Sequence, residues 1–580
     1  MASAVLRQPK EIPLATGSKP RIAVFSGPTA TIQNSPPLLT SNKARAAAGL
    51  PLMTAADGTA LRFDSLRAQR LAAPVTVYVD YLSAHPLERD ADELYAAPHG
   101  YLDAAGAFHE QRSSATDRAV YQVTLDPSDG LYMLPYMALQ ADGRAWDEAC
   151  AFPLAPQEQA RQTFYPDAHR IYEEIDRFGL DSNGKGCLLS NVAEYDFYRP
   201  APSGGYKKGL VLAERTDAGA GDIAPEVLGR DFFLYYPQHL RAEPYLAALA
   251  RATNVVKNAL ASADYAGAQW LEGSPTTEES MYWLNLVIDT KVPLVGHSAQ
   301  RPHQTISADG DRNIVDGVKY ILSSIWKNGG ESDLIGGVMI VDEQVFHSRE
   351  VTKTDARPGN YQATGGHGGV VALMGGYAAP ELTYIPTKRH TWSSEVNMTR
   401  MPSVVPGVRL TDGGIVESPV TIKDTSGDLI PEMMPKVTIS KYTRYSGAGP
   451  VPDPSCEVEI MARVRENLTT SPLAGFVGEG ASPYGAMGKS ADLALTQAVF
   501  SGMPVVRCGR GATAGLATKN DPLFVAGSNL TSTKARILLM ASLLRFGALP
   551  PAKDPAHPTA DEMAATKAKV AEYQQVFDTH

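Results

Sequence analysis

The sequence has little cysteine, no long apolar run and no excess of positive charge, and each absence excludes a class of protein. Four cysteines in 580 residues are too few and too scattered for a disulfide framework or a CxxC metal site. The longest mostly apolar stretch, residues 368–380, is short and rich in glycine, so we expect no membrane-spanning segment. Residues 1–20 lack the apolar core of a secretory signal, and we therefore expect a cytoplasmic protein.

Acidic residues outnumber basic residues, 63 to 53, which gives a formal net charge of −10. A negative chain gains little long-range attraction to phosphates or to anionic lipids, so we expect no nucleic acid and no membrane as partner. His297 and His303 lie close together in a predicted loop, but no carboxylate at ligand spacing accompanies them. We therefore expect no metal ion and no cofactor.

The chain is long and has the composition of a folded protein. It contains 44% apolar and 20% charged residues, and 580 residues suffice for about three to four domains. From residue 230 onward, short apolar runs alternate with amphipathic segments, as in the predicted helix at 243–263, strand at 268–272 and helix at 277–290. This alternation is typical of βαβ units and predicts an α/β protein with mainly parallel sheets.

Changes of composition along the chain predict its domains. Residues 1–20 form a tail, and an N-terminal α/β domain covers 21–400. Within that domain, residues 65–230 carry many aromatic residues and turn signals and are interpreted as an inserted α+β block. Residues 401–435, rich in Pro, Gly and Asp, predict a linker or excursion before a C-terminal α/β domain at 436–580.

Three segments stand out, two with hydroxyl groups at predicted strand ends, where open α/β sheets bind ligands, and one with a lysine. They are residues 26–31 (Ser-Gly-Pro-Thr-Ala-Thr), 271–280 and 348–354. A hydroxyl is a weak nucleophile until a base takes its proton, and a buried lysine such as Lys353 is a candidate base because burial lowers the pKa of an ammonium group. On the residues alone, hydroxyls that only cap a turn and an ordinary surface lysine stay open as alternatives.

Several segments occur together in the order of a known family. They are Glu272-Gly-Ser-Pro-Thr-Thr-Glu-Glu-Ser280, Arg349-Glu-Val-Thr-Lys-Thr354, Gly475-Phe-Val-Gly478 and the run that begins Leu530-Thr-Ser-Thr-Lys-Ala-Arg. With these residues the chain resembles the bacterial-type L-asparaginase/glutaminase family. The resemblance implies a two-domain α/β amidohydrolase that forms a threonine acyl-enzyme with a small-molecule amide. It also implies a homodimer or homotetramer.

The resemblance carries catalytic roles onto individual positions. Thr29, in Gly-Pro-Thr, matches the nucleophilic threonine, and Thr31 is a rival for that role. Ser274 matches a second threonine and keeps its hydroxyl, while Lys353 matches the lysine that works with it.

The substrate-binding positions agree less well with the family. Gln238 matches a glutamine that holds the substrate carboxylate, and Ser26 and Glu479 are further candidates, Glu479 in an altered C-terminal turn. Pro275 stands where the family has an aspartate that supports the lysine and binds the substrate's α-amino group. Proline has neither charge nor donor, so we expect an amide, imide or lactam other than asparagine as substrate.

Glu278 and Glu279 open a predicted helix and are candidates to replace the missing aspartate beside Lys353, although a role at the helix start alone is the alternative. Three further functions stay open: a small-molecule-binding protein without activity, a genuine asparaginase or glutaminase, and an ammonia-supplying subunit of a tRNA amidotransferase. The acidic balance of the chain argues against the last of these.

Overall fold

The computed structural model describes most of the chain after residue 245 and shorter parts before it. The described residues are 19–28, 66–70, 75–79, 100–103, 108–125, 131–135, 164–165, 172, 175, 188–200, 206–208, 233–234, 245–261, 265–301, 307–355, 361–363, 369–375, 379–442, 451–510, 517 and 521–580.

Helices and strands alternate after residue 245, as the sequence predicts. The helices of the described residues are α1 (Tyr245–Ala261), α2 (Thr276–Val287), α3 (Gly310–Ser323), α4 (Val458–Thr470), α5 (Lys489–Phe500), α6 (Ser532–Phe546) and α7 (Ala560–Thr579).

The strands before α1 are β1 (Arg21–Ser26), β2 (Leu66–Arg70), β3 (Val75–Val79), β4 (Gly100–Leu102), β5 (Phe108–His109), β6 (Arg118–Leu125), β7 (Leu131–Pro135), β8 (Phe164–Tyr165), β9 (Glu194–Pro200), β10 (Tyr206–Lys208) and β11 (Phe233–Leu234). The strands after α1 are β12 (Tyr265–Leu271), β13 (Leu294–His297), β14 (Val338–Val341), β15 (Gln344–His347), β16 (Val351–Lys353), β17 (Tyr361–Ala363), β18 (Val370–Leu373), β19 (Glu381–Leu382), β20 (Val404–Thr411), β21 (Gly414–Thr421), β22 (Lys436–Lys441), β23 (Ala474–Gly480), β24 (Val505–Gly509) and β25 (Val525–Ala526).

The chain divides into two compact units. The first unit comprises Met1–Thr29, Glu243–Gln300 and Arg312–His580, and the second comprises Ala30–Ala242 and Arg301–Asp311. In the second unit the described strands pair antiparallel, β2 with β7, β8 with β11, β9 with β10, and β6 with both β3 and β4. The predicted domain boundaries, including the inserted block at 65–230, stay predictions.

The first sheet of the first unit has a parallel part that positions the candidate site. Strands β1, β12, β13 and β14 pair in parallel, and β15, β18 and β19 continue the sheet antiparallel. The register places Ser26 opposite Leu271, and Leu271 opposite His297, so these strands end in one row. Every residue of β14 (Val-Met-Ile-Val) is buried, as expected for a parallel strand covered on both faces.

A second sheet lies in the C-terminal part of the first unit. Strands β22, β23, β24 and β25 are all parallel, and α6 packs on them. Helix α6 is apolar on most of its surface and is buried over most of its length, which is typical of a core helix. The two sheets confirm the predicted α/β class with mainly parallel strands. No helix in the described part of the chain is long and apolar enough to cross a membrane.

Residues 401–435 contain a regular β-hairpin. Strands β20 and β21 pair over their whole length, from Val404 opposite Thr421 to Thr411 opposite Gly414. The residues between them are Asp412 and Gly413, a dipeptide that favours two-residue hairpin turns. The prediction of a linker or excursion rested on the Pro, Gly and Asp content of this range and did not include the Asp-Gly turn signal.

Candidate active site

The ends of β1 and β12 form a closely packed corner. The Gly27 backbone N–H donates to the Leu271 carbonyl oxygen at 2.8 Å, and Ser26 beside it is fully buried. A Cβ atom on Gly27 would lie 2.7 Å from both the Glu272 carboxyl carbon and the Trp270 ring. A larger residue at position 27 would therefore displace these side chains, and Gly27 lies directly against the segment that leads to Ser274.

Ser274 is held by two hydrogen-bond donors. Its Oγ accepts from the Tyr361 hydroxyl at 2.8 Å and from Gln300 Nε2 at 3.1 Å. Ser274 lies between β12 and α2, and Gln300 follows β13, so neighbouring strand ends bring these two residues together. A serine hydroxyl can accept two hydrogen bonds and donate one, so the accepting positions of Ser274 are filled and its proton remains.

Lys353 and Tyr361 lie opposite each other in a short hairpin. Strands β16 and β17 pair antiparallel with Lys353 directly across from Tyr361. Residues in such a pair project to the same face, with Cβ atoms about 4.5–5.5 Å apart. The hairpin therefore brings Lys353 to the face that also carries the tyrosine bound to Ser274.

Glu278 connects the start of α2 to the lysine strand. Its Oε2 accepts the backbone N–H of Lys353 at 2.6 Å, and the residue is only 7% exposed. Burial raises the pKa of this carboxyl group, and the nearby Lys534 partly offsets that effect. Glu279, the other candidate partner of Lys353, instead forms an ion pair with Arg536.

Lys534 contributes to the site from α6, in the C-terminal part of the unit. Its Nζ donates to the Glu278 carbonyl oxygen and, at 2.7 Å, to the Ser348 carbonyl oxygen. The side chain is 1% exposed, and burial lowers the pKa of Lys534 to about 8. This lysine holds α2 and the segment before β16 together. Sequence reasoning included it in a family motif but gave it no role.

Tyr361 is the site residue that sequence reasoning missed. Its hydroxyl accepts from Ser298 Oγ at 3.3 Å while it donates to Ser274, and its side chain is buried. Burial raises the pKa of Tyr361, although its hydrogen bonds to Ser274 and Ser298 work in the opposite direction. The phenol therefore stays protonated near neutral pH and acts as a donor. Its place depends on the pairing of β16 with β17, which no local motif indicated.

The remaining predicted site residues have different surroundings. Pro275 is exposed and directly precedes α2. Glu479, at the end of β23, accepts from the Ser532 hydroxyl and lies 3.7 Å from Lys441 Nζ. Thr29, Thr31 and Gln238 lie outside the described residues, and their roles stay predictions.

His297 lies beside the site but is part of the core. Its Nε2 is 3.0 Å from Gln269 Nε2, and burial lowers the pKa of His297 to about 3, so the ring is neutral. Among the described residues, no group of three or more His, Cys, Asp or Glu side chains could hold a metal ion. His303 lies outside the described residues.

The chain shows similarity to asparaginases over part of its length. Residues 245–366 match the family model described as asparaginase, N-terminal. A glutaminase-asparaginase of Acinetobacter glutaminasificans is 31% identical over 147 residues, which are 24% of this chain and 40% of that protein. L-asparaginase 2-3 of Saccharomyces cerevisiae is 26% identical over 292 residues, or 50% of this chain and 66% of that protein.

Among solved structures, a probable cytoplasmic L-asparaginase from Campylobacter jejuni aligns with a TM-score of 0.40 and 19% identity, covering 58% of this chain and 86% of that one. The chain spans 40% and 66% of the length of the two relatives named above. The family model and the relatives support the resemblance to the asparaginase family that the motifs indicated.

Proposed function

We propose that this protein is an amidohydrolase that cleaves a carbon–nitrogen amide bond of a small molecule. The observation that carries the proposal is the cluster of Ser274, Tyr361 and Lys353: the Tyr361 hydroxyl donates to Ser274 at the carboxyl end of a parallel sheet, and Lys353 lies directly across a hairpin from Tyr361. The relatives named above are called asparaginases and glutaminases, which are hydrolases of this kind of bond.

The proposed reaction passes through an acyl-enzyme. Thr29 Oγ1 attacks the amide carbonyl carbon, the carbon–nitrogen bond breaks, and the nitrogen leaves with an added proton. Lys353 is the candidate to receive the Thr29 proton, and water then hydrolyses the threonine ester to give the acid. Support for Thr29 is the Gly-Pro-Thr motif, because Gly27 packs against the segment that leads to Ser274.

The proposed substrate differs from asparagine. Pro275 occupies the position of the aspartate that binds the α-amino group in the family, and its exposed ring offers neither charge nor donor there. A site that lacks a polar group for a substrate's ammonium loses discrimination equivalent to about 1–3 kcal/mol. We therefore propose an amide, imide or lactam that lacks a free α-amino group.

A panel assay tests the reaction and the substrate together. The full-length protein is incubated with L-asparagine, L-glutamine, succinamate, glutarimide and a lactam, and ammonia release and product mass are measured. We expect turnover of a panel member other than asparagine. Rapid asparagine hydrolysis would contradict the argument from Pro275. Ligand-dependent thermal stabilisation without any turnover would favour a binding protein instead.

Matched threonine variants test the nucleophile. We expect T29A to abolish turnover with an unchanged melting temperature, and T31A to retain turnover. The reverse result would make Thr31 the nucleophile, and full activity in both variants would direct attention to Ser26.

A further inference from the structure

We propose that Tyr361 is a positioning residue that, together with Gln300, directs the Ser274 proton toward the bound amide. The inference rests on the proposed function and adds the role of Ser274 within it: a proton donor to the leaving nitrogen. Tyr361 itself acts through Ser274.

The number of hydrogen bonds at Ser274 carries the argument. Both donors point at the same oxygen, Tyr361 Oη at 2.8 Å and Gln300 Nε2 at 3.1 Å. With both accepting positions of Oγ occupied, the hydroxyl proton is directed away from Tyr361 and Gln300. Among the described residues, these are the two hydrogen bonds of Ser274 Oγ, and we assign its proton to the bound amide.

The orientation of the Tyr361 hydroxyl is fixed in the same way. Ser298 Oγ donates to Tyr361 Oη at 3.3 Å, so the phenol accepts from Ser298 and gives its own proton to Ser274. The Ser298 carbonyl oxygen is itself held by Asn313 Nδ2 at 2.9 Å. The buried ring of Tyr361 is fixed by its place in β17. The hydroxyl groups therefore form a hydrogen-bond chain in which Ser298 donates to Tyr361 and Tyr361 donates to Ser274.

The hydrogen bonds that Ser274 accepts favour a role as proton donor over a role as nucleophile. An attacking oxygen needs a free lone pair, and both lone pairs of Ser274 are engaged. As the carbon–nitrogen bond breaks, the leaving nitrogen takes the Ser274 proton, and the resulting alkoxide is stabilised by its two donors. The proton that Lys353 received from Thr29 then returns to Ser274, so the net transfer is from Thr29 to the leaving group.

The first test removes the single oxygen of Tyr361. We expect Y361F to lower kcat about 10- to 100-fold on the panel amide that the wild-type protein hydrolyses fastest, with KM changed less than about threefold. Y320F is the matched control, because Tyr320 is also fully buried and its hydroxyl has no hydrogen-bond partner among the described residues. We expect Y320F to keep wild-type kcat. An unchanged kcat in Y361F would overturn the proposal.

A double-mutant cycle separates positioning from a purely structural role. If Tyr361 acts through Ser274, Y361F lowers the residual kcat of S274A by less than about twofold. A further loss in the double variant equal to that of Y361F alone would show that Tyr361 acts independently of Ser274 and would overturn the inference.

A crystallographic comparison tests the positioning without any turnover. We expect one Ser274 rotamer within hydrogen-bond distance of Tyr361 and Gln300 in the wild-type protein, and more than one rotamer in Y361F. A single unchanged rotamer in Y361F would refute the positioning role even if the protein is an active amidohydrolase. Loss of order in Y361F, with no panel amide hydrolysed by the wild-type protein, would support the positioning and refute the proposed function.

Discussion

The carboxyl ends of the two parallel sheets differ in what they carry. At the first edge, formed by the ends of β1, β12 and β13, Ser274 accepts hydrogen bonds from Tyr361 and Gln300. At the second edge, formed by the ends of β22, β23 and β24, Glu479 accepts from Ser532 and lies near Lys441. Both edges follow the topology that places ligands at strand ends. Within the described residues, the Ser274 hydroxyl accepts two hydrogen bonds at the first edge, whereas the Ser532 hydroxyl donates to a carboxylate at the second.

The difference shows that sheet topology alone does not make a functional site. Side chains from outside the sheet must also be brought to the strand ends. The hairpin of β16 and β17 brings Lys353 and Tyr361 to the first edge. Helix α6 of the second sheet contributes to the same edge through Lys534, which binds the Glu278 and Ser348 carbonyl oxygens. The second sheet therefore supports the first edge through its helix.

The largest expected effect is the removal of the Ser274 hydroxyl. We expect S274A to lower kcat/KM by about 100- to 10,000-fold, the range of a positioned proton donor, on the best panel amide. The matched control is S532A at the second edge, which we expect to change kcat/KM less than about threefold. Equal losses in the two variants would remove the difference between the edges.

The next effect concerns stability and the link between the sheets. K534M leaves two buried carbonyl oxygens without their donor, and we expect the free energy of unfolding to fall by about 2–4 kcal/mol. On the same helix, R536M breaks a partly exposed pair with Glu279, and we expect a loss below about 1 kcal/mol. Urea denaturation measures both, and a larger loss in R536M would contradict the anchoring role of Lys534.

A third prediction concerns the opposite, amino-terminal edge of the first sheet. Asp333 is fully buried there and accepts from the backbone N–H groups of Ile335 and Gly336, and burial raises the pKa of Asp333 to about 7 from an ordinary value of 3.8. Between these values the folded protein binds more protons than the unfolded chain. The contribution of Asp333 to stability is therefore present at low pH and falls as the pH rises from about 4 to about 7.

We expect D333N to remove this contribution to the pH dependence. The difference in free energy of unfolding between wild type and D333N should change by about 1–3 kcal/mol from pH 4 to pH 7, measured by urea denaturation at each pH. We also expect kcat/KM to stay within about threefold of wild type, because this edge lies away from Ser274. A constant difference across that pH range would show that Asp333 titrates normally.

The smallest expected effect is at the second edge. E479Q keeps the shape and an acceptor for Ser532 but loses the charge, and we expect KM to rise about three- to tenfold with kcat unchanged. K441M, which removes only the exposed partner of Glu479, should alter KM less than about twofold. An unchanged KM in E479Q would make Glu479 a structural residue and would sharpen the contrast between the edges.

Much of the fold was predictable because local patterns agree with it. The alternation of apolar runs and amphipathic segments after residue 230 predicted α1, β12 and α2 to within a few residues. Order and spacing of motifs indicated the family. The hairpin at β20 and β21 was missed, although the Asp412-Gly413 turn was a usable local signal.

The candidate site was predictable only in part, since motifs name residues without saying what touches them. Ser274 and Lys353 were named from local sequence, and Glu278, one of two candidate partners of Lys353, contacts the backbone of the lysine strand. Tyr361 and Gln300 carry no motif, and Lys534 lies 256 positions from Glu278 in the chain. Such contacts depend on strand register and helix packing, which a one-dimensional pattern does not encode.

The sequence by itself determined the α/β class, the resemblance to asparaginases and the candidate hydroxyl and lysine groups, because apolar periodicity and turn chemistry act over a few residues. Only the tertiary structure decided how those groups are held. The pairing of β16 with β17 places Lys353 beside Tyr361, and Lys534 of α6 donates to two backbone carbonyl oxygens. Such contacts form because buried polar groups need hydrogen-bond partners, which here lie far apart in the sequence. The direction of the Ser274 proton follows from those contacts.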